Sequence, residues 1–234
     1  MRVIYLIILA IFLAACGGGG GGGTVEPTDP PEPQSSIDDP YFYTQWNLEY
    51  NASYGDRFSI SSGASINGYD TLRSYTGKGI KVAVIDDGID LNHEDLVGSV
   101  GGRYDLASQS QAVGHSSSSD YHGTAVAGII GANANSIGIR GVAPESELII
   151  IKYKSKMSDS ETISLFNKAV ELGADIINCS WGTGNVSPAV RSAIQDIARN
   201  GRDGKGVFIV FASGNSGWYM GNDESAIPEV VAVG

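Results

Sequence analysis

At 234 residues, with 42% hydrophobic and 18% charged positions, the chain holds enough apolar material for one domain with a large buried core. Its formal net charge of -11 argues against nucleic acid or an anionic membrane surface as partner and suits cationic ligands or bound metal ions. The two cysteines, Cys16 and Cys179, fall in very different contexts, which excludes a disulfide framework.

In chain order, Met1 and Arg2 precede an apolar run over 3–15 that stops at Cys16. This is the layout of a secretory signal peptide, too short to span a membrane comfortably. Leu13-Ala14-Ala15-Cys16 resembles the bacterial lipobox. The resemblance implies a lipoprotein signal over 1–15, cleavage before Cys16, lipidation of its sulfur, and a membrane-anchored protein of the cell envelope facing outside the cytoplasm. Residues 16–37 are Gly-rich and then Pro-rich, with no apolar face to bury, and read as a tether.

The folded domain is expected over 38–234. Apolar, β-branched runs at 80–85, 148–151, 175–179, 207–211 and 230–233 predict short strands buried on both faces. Between them, Ser158 and Glu161 form a capping box ahead of Ile163, Phe166 and Val170 at helical spacing, with a stop at Gly173. Ser187 and Pro188 open a second helix carrying Val190, Ile194 and Ile197 on one face and ending at Gly201. Alternating strands and helices predict an α/β fold: a mainly parallel sheet between helical layers, with ligands at the carboxyl ends of the strands. Cys179, inside a strand run, reads as a small buried apolar residue.

Asp86 follows directly on a buried strand in Val84-Ile85-Asp86-Asp87-Gly88, and His122 opens the small-residue stretch His122-Gly123-Thr124-Ala125. Alone, an aspartate at a strand end is a turn former and a histidine a surface residue. Together, in this order, they resemble the aspartate and histidine segments of the subtilases, whose triad runs Asp, His, Ser. Gly141-Val142-Ala143-Pro144, Asn178-Cys179-Ser180-Trp181-Gly182, Ser213-Gly214-Asn215 and the closing stretch 227–234 fit the same family in order. The resemblance runs from about Asp39 to the last residue. It implies a serine endopeptidase acting on polypeptides, with His122 as general base and acid, Asp86 fixing its tautomer, and Asn215 donating to the oxyanion. Ser180, Trp181 and Gly182 would pair with extended substrate as an added strand.

The pattern also departs from the family. No Gly-Thr-Ser-type segment follows Asn215 before Gly234, so the nucleophile is expected beyond this chain and the 234 residues alone are expected to be inactive. A non-catalytic peptide-binding module on the envelope is the alternative. An esterase of the α/β-hydrolase type is disfavoured because no Gly-x-Ser-x-Gly elbow precedes the other triad members. Only the tether separates Cys16 from Asp39, so any folding assistance of prodomain type is expected from elsewhere. Asp86-Asp87-Gly88 and Ser180-Trp181-Gly182 resemble the kexin and furin branch, where acidic pockets take paired basic side chains. Asp87 and Asp120 would then serve a basic P2 side chain. The acidic position after the Ser-Trp-Gly strand is Asn185 here, for which Asp223 and Glu224 could compensate. Finally, Asn133-Ala134-Asn135-Ser136-Ile137-Gly138-Ile139 resembles the subtilase calcium loop. The implied ligands of one structural calcium ion are backbone oxygens of Asn133, Ile137 and Ile139, the side chain of Asn135, and the carboxylates of Asp95 and Asp39.

Overall fold

The computed structural model describes residues 37–217 and 221–234. The signal and tether readings, with Cys16, lie outside the described residues. Two short helices, α1 (Ala52–Gly55) and α2 (Tyr69–Ser74), precede the sheet. The rest follows as β1 (Lys81–Asp86), β2 (Val100–Asp105), α3 (His122–Gly131), β3 (Glu147–Lys152), α4 (Asp159–Glu171), β4 (Ile176–Cys179), α5 (Pro188–Gly204), β5 (Phe208–Ala212) and β6 (Val231–Val233).

All six strands are parallel, in the order β2-β3-β1-β4-β5-β6. The α/β class read from the sequence is therefore the observed one. Period-two alternation divides the strand side chains between two cores. Ala83, Ile85, Ile149, Ile151, Ile177 and Phe211 pack with Leu165, Phe166 and Ala169 of α4 and with Val190, Ile194 and Ile197 of α5. Val82, Val84, Leu148 and Ile150 face the other way, onto Ala127 of α3 and onto Ile89 and Leu96. Burial on both faces explains why β1 and β3 are uninterrupted apolar runs.

The helices start where their caps dictate. Ser158 accepts from the N–H of Glu161, whose carboxylate reaches back to the N–H of Ser158, a complete capping box. Ser187 caps α5 through the N–H of Val190 with Pro188 in the first turn. Regular α5 geometry breaks at Gly201, where the chain turns through left-handed Arg202 and Asp203, as the glycine stop predicted.

Two edges differ from the sequence reading. β2, Val-Gly-Gly-Arg-Tyr-Asp, was not expected: its glycines and arginine mask the strand pattern, and it pairs on one side only, with β3, through a register shift between Val100 and Gly102. The run at 230–233 does form β6, but its side chains are exposed, not buried on both faces. Among the described residues it is the opposite edge, paired with β5 alone.

Candidate active site

Strand register sets the site. Asp86 is the last residue of β1, beside Lys152 of β3, so its carboxylate emerges at the carboxyl end of the sheet. It remains 1% exposed. His122 is the first residue of α3, and its Nδ1 lies 2.8 and 3.0 Å from the two carboxylate oxygens of Asp86. An imidazole nitrogen facing a carboxylate must carry the proton, so Nδ1–H donates and the Nε2 lone pair is left to accept. Burial pushes the Asp86 carboxyl up; the hydrogen bond from His122 and the N–H of Asp87 at 2.8 Å pull the other way. The His122 side chain keeps half its surface exposed, on the side where a reactant can approach.

Close approach of α3 to β1 requires glycine next to the histidine. A Cβ on Gly123 would stand 2.2 Å from the carbonyl oxygen of Gly88 and 3.0 Å from Cβ of Asp86. Asp87 fixes the same junction. Its Oδ1 accepts from the N–H of Gly123 at 2.7 Å and its Oδ2 from that of His122 at 3.2 Å, which satisfies orphan donors at the start of α3. Asp120 is likewise engaged: one oxygen accepts the N–H groups of Ser116 and Ser117 and lies 3.8 Å from Nζ of Lys152. That buried ammonium also donates to the Gly114 carbonyl at 2.6 Å and the Ser116 hydroxyl at 2.7 Å, closing the loop that leads into α3. Sequence reasoning passed over Lys152; the only signal was a lysine ending the apolar run 148–151. Tyr153 was also missed. Its phenol is pushed up to about 12 by burial first and then by the charges of Asp86, Asp87 and Asp120.

On the other side of β1, the segment after β4 supplies Ser180, Trp181 and Gly182. The Trp181 indole N–H donates to the Ile85 carbonyl at 2.8 Å and its ring meets Tyr153 and Phe211 edge to face, tying this segment to the strand that bears Asp86. Ser180, Trp181, Gly182, Ala212, Gly214, Asn215 and Asp223 line a cavity of about 160 Å³. Asn215, an exposed residue, thus lines the same cavity as the Ser-Trp-Gly segment. Asp223 is 1% exposed and accepts the N–H groups of Gly184 at 2.6 Å and Ser225 at 3.1 Å. Glu224, equally buried, holds the N–H and hydroxyl of Thr183. Asn185 pairs with Asn222.

The third group, Asp39, Asp95 and the loop 133–139, also converges. Asp39 Oδ1 accepts from the N–H groups of Asn135 and Ser136, and Asp95 Oδ2 from that of Ile139 at 3.0 Å. Asn135 Oδ1 accepts from the N–H of Ile137. The Asn133 side chain is spent on Ser99 and Val97. Gly138, at φ 59°, is where a side chain would strike Asp95: a Cβ would lie 2.3 Å from Oδ2. Asp95 is 2% exposed and its Oδ1 has no hydrogen-bond partner. Burial, with the charge of Asp39 adding to it, pushes the Asp95 carboxyl up, against the Ile139 N–H that lowers it. An orphaned carboxylate oxygen in an oxygen-rich loop fits a hard cation such as calcium. Among the described residues no three His, Cys, Asp or Glu side chains cluster, so such an ion would draw on backbone and amide oxygens for most of its shell.

Fold and site together define an α/β chain whose parallel sheet presents a buried aspartate, an imidazole hydrogen-bonded to it, and an amide-lined cleft alongside. The chain belongs to the subtilase family, whose signature it matches over residues 77–234. It is 31% identical over 211 residues to the "Calcium-dependent protease" of Trichormus variabilis, covering 82% of this chain and 31% of that protein. It is 39% identical over 173 residues to the "Major intracellular serine protease" of Bacillus subtilis, covering 68% and 51%. Against the kexin of Saccharomyces cerevisiae the identity is 33% over 205 residues, covering 82% and 24%. The chain therefore spans about half or less of the length of these relatives. Among solved structures, a cold adapted subtilisin-like serine proteinase superposes with a TM-score of 0.57 at 28% identity, over 68% of this chain and 56% of that one. The serine protease of Aeromonas sobria, in complex with its chaperone, superposes with a TM-score of 0.67 at 19% identity, over 83% and 38%, and shares the fold.

Proposed function

We propose that this chain supplies the aspartate, histidine and oxyanion groups of a serine endopeptidase that cleaves polypeptides through an acyl-enzyme. The carrying observation is the contact of His122 Nδ1 with both oxygens of buried Asp86, which leaves Nε2 to act as base. In this reading a serine from a segment after Gly234 attacks the scissile carbonyl. His122 takes the hydroxyl proton and returns it to the leaving amine, while Asp86 stabilises the imidazolium. Asn215 donates its amide to the developing oxyanion, and the backbone of 180–182 pairs with the substrate.

Any preference for a basic side chain is proposed to draw on the acidic groups at this end of the sheet, Asp87, Asp120 and Asp223, each of which also accepts N–H groups of the protein. Calcium would be held by Asp39, Asp95, the Asn135 side chain and the carbonyls of Asn133, Ile137 and Ile139. It would supply charge neutralisation to two buried carboxylates and take no part in bond cleavage. A lipid anchor on Cys16 and residence in the bacterial cell envelope complete the proposal. Two acyl chains would be needed for stable attachment, and mass spectrometry of the membrane fraction tests it; an unmodified amino terminus elsewhere would refute it.

The second reading, a peptide-binding module without catalysis, draws on the fact that among the described residues no serine hydroxyl hydrogen-bonds to His122. A fluorogenic peptide panel separates the two. The protein extended past Gly234 should hydrolyse peptides, His122→Ala should abolish turnover, and the 234-residue chain should show none. Binding without turnover by the extended protein would favour the module.

A further inference from the structure

The arm at 39–45 meets the loop 135–140 through six hydrogen bonds, none of which needs a metal ion. Asp39 Oδ1 accepts from the N–H groups of Asn135 and Ser136, and Asp39 Oδ2 from Nη1 of Arg140 at 3.3 Å. The N–H of Tyr41 donates to the Gly138 carbonyl at 2.9 Å. Gln45 clasps the backbone of Arg140 with both ends of its amide, each at 2.8 Å.

Arg140 stands out in this set. Its guanidinium is 3% exposed, and both Nε and Nη2 are buried with no partner. Burying two unpaired donors is costly, and an apolar side chain at this position would avoid that cost. What the guanidinium adds is positive charge on one oxygen of Asp39, within the set of groups that would hold calcium. A polar cavity of about 450 Å³, lined by Asp38, Asp39, Asn133, Ser136, Arg140 and Glu145 among others, lies beside the pair.

We propose that Arg140 is a resident counter-ion of Asp39 that competes with calcium and keeps the arm docked when the metal is absent. The inference rests on the calcium reading of the site. Two cations sharing one carboxylate oppose each other, and such coupling is reciprocal. Removing the guanidinium therefore tightens calcium binding, and calcium stabilises the variant more than it stabilises the wild type.

The test uses the full 234-residue chain as wild type, Arg140→Leu and Arg140→Lys, in chelator and in excess calcium chloride. Hydrogen exchange at 38–48, thermal unfolding and calorimetric calcium titration are read together. In chelator the wild-type arm should be protected and that of Arg140→Leu should exchange faster, regaining protection in calcium. Calcium should bind Arg140→Leu roughly tenfold more tightly than wild type, while Arg140→Lys, which keeps the charge, stays near wild type. If Arg140→Leu fails to fold even in calcium, Arg140→Gln and the wild-type exchange pattern carry the same test. Unchanged calcium affinity in the neutral variant, with equal loss of melting temperature in both conditions, would overturn the resident-cation role alone. Absence of calcium binding in wild type and variants alike would overturn the calcium reading and the competition with it.

Discussion

Asp86 and Asp95 lie nine residues apart, are 1% and 2% exposed, and both have carboxyls pushed up by burial. They differ in what completes them. Asp86 has the imidazole of His122 on both oxygens and the N–H of Asp87 on one. Asp95 has the N–H of Ile139 on one oxygen and no hydrogen-bond partner on Oδ1, with the like charge of Asp39 nearby and the Asn135 amide and His93 acting weakly against it. A desolvated carboxylate paired with an exposed imidazole can orient a base for proton transfer. A desolvated carboxylate with an orphaned oxygen suits a hard cation. Equal burial thus yields two chemistries, and the partner decides which.

The comparison can be broken most forcefully at Asp86. In the protein that carries the nucleophile, Asp86→Asn should lower kcat by roughly 10⁴-fold, because the amide favours the wrong imidazole tautomer. A loss confined to KM would separate Asp86 from proton transfer. If the Asn215 amide serves the oxyanion and not the bound peptide, Asn215→Ala should cost about 10²–10³ in kcat with KM little changed.

At the other carboxylate the readout is stability. Calcium at a hundred times its Kd should stabilise the wild type by about 2.7 kcal/mol, a rise in Tm of roughly 5–10 °C for a domain of this size. Asp95→Ala should abolish that rise; equal melting of the wild type in calcium and in chelator would refute the site.

A third carboxylate, partly exposed, sharpens the contrast by moving the opposite way. Glu161 is held down at about 2, first by the Lys154 ammonium and then by the N–H of Ser158 at the cap of α4. A carboxyl depressed in the folded state contributes stability that is complete above its ordinary value and lost as pH falls through the folded one. Glu161→Gln should therefore melt slightly lower than wild type near neutrality, with the deficit shrinking between about pH 4.5 and 2. A deficit independent of pH would show that the cap geometry, and not the charge, matters.

The sheet and its helices were legible because each device is local: β-branched runs for β1, β3, β4 and β5, a capping box at Ser158 and Glu161, and Ser187 with Pro188 at α5. β2 was not legible, since Gly101, Gly102 and Arg103 carry no apolar alternation and the strand is held by its neighbour β3. The Asp86–His122 pair could be named from motif order, and so could the convergence of Asp39 and Asp95 on the loop 133–139. The employment of Asp87 and Asp120 could not. Whether Asp87 reaches the first N–H groups of α3 depends on where that helix begins relative to β1, and the close approach at Gly123 fixes that across the fold. Lys152 and Arg140 escaped notice for a related reason: a buried cation is recognisable only once its carboxylate is beside it.

The most direct test of the central claim, that Asp86 and His122 activate a serine, is to react the protein extended past Gly234 with a fluorophosphonate and map the modified residue by mass spectrometry. The account predicts one labelled serine beyond Gly234, with labelling lost in His122→Ala and no labelling of the 234-residue chain. A labelled serine within residues 37–234, or labelling indifferent to His122→Ala, would contradict it.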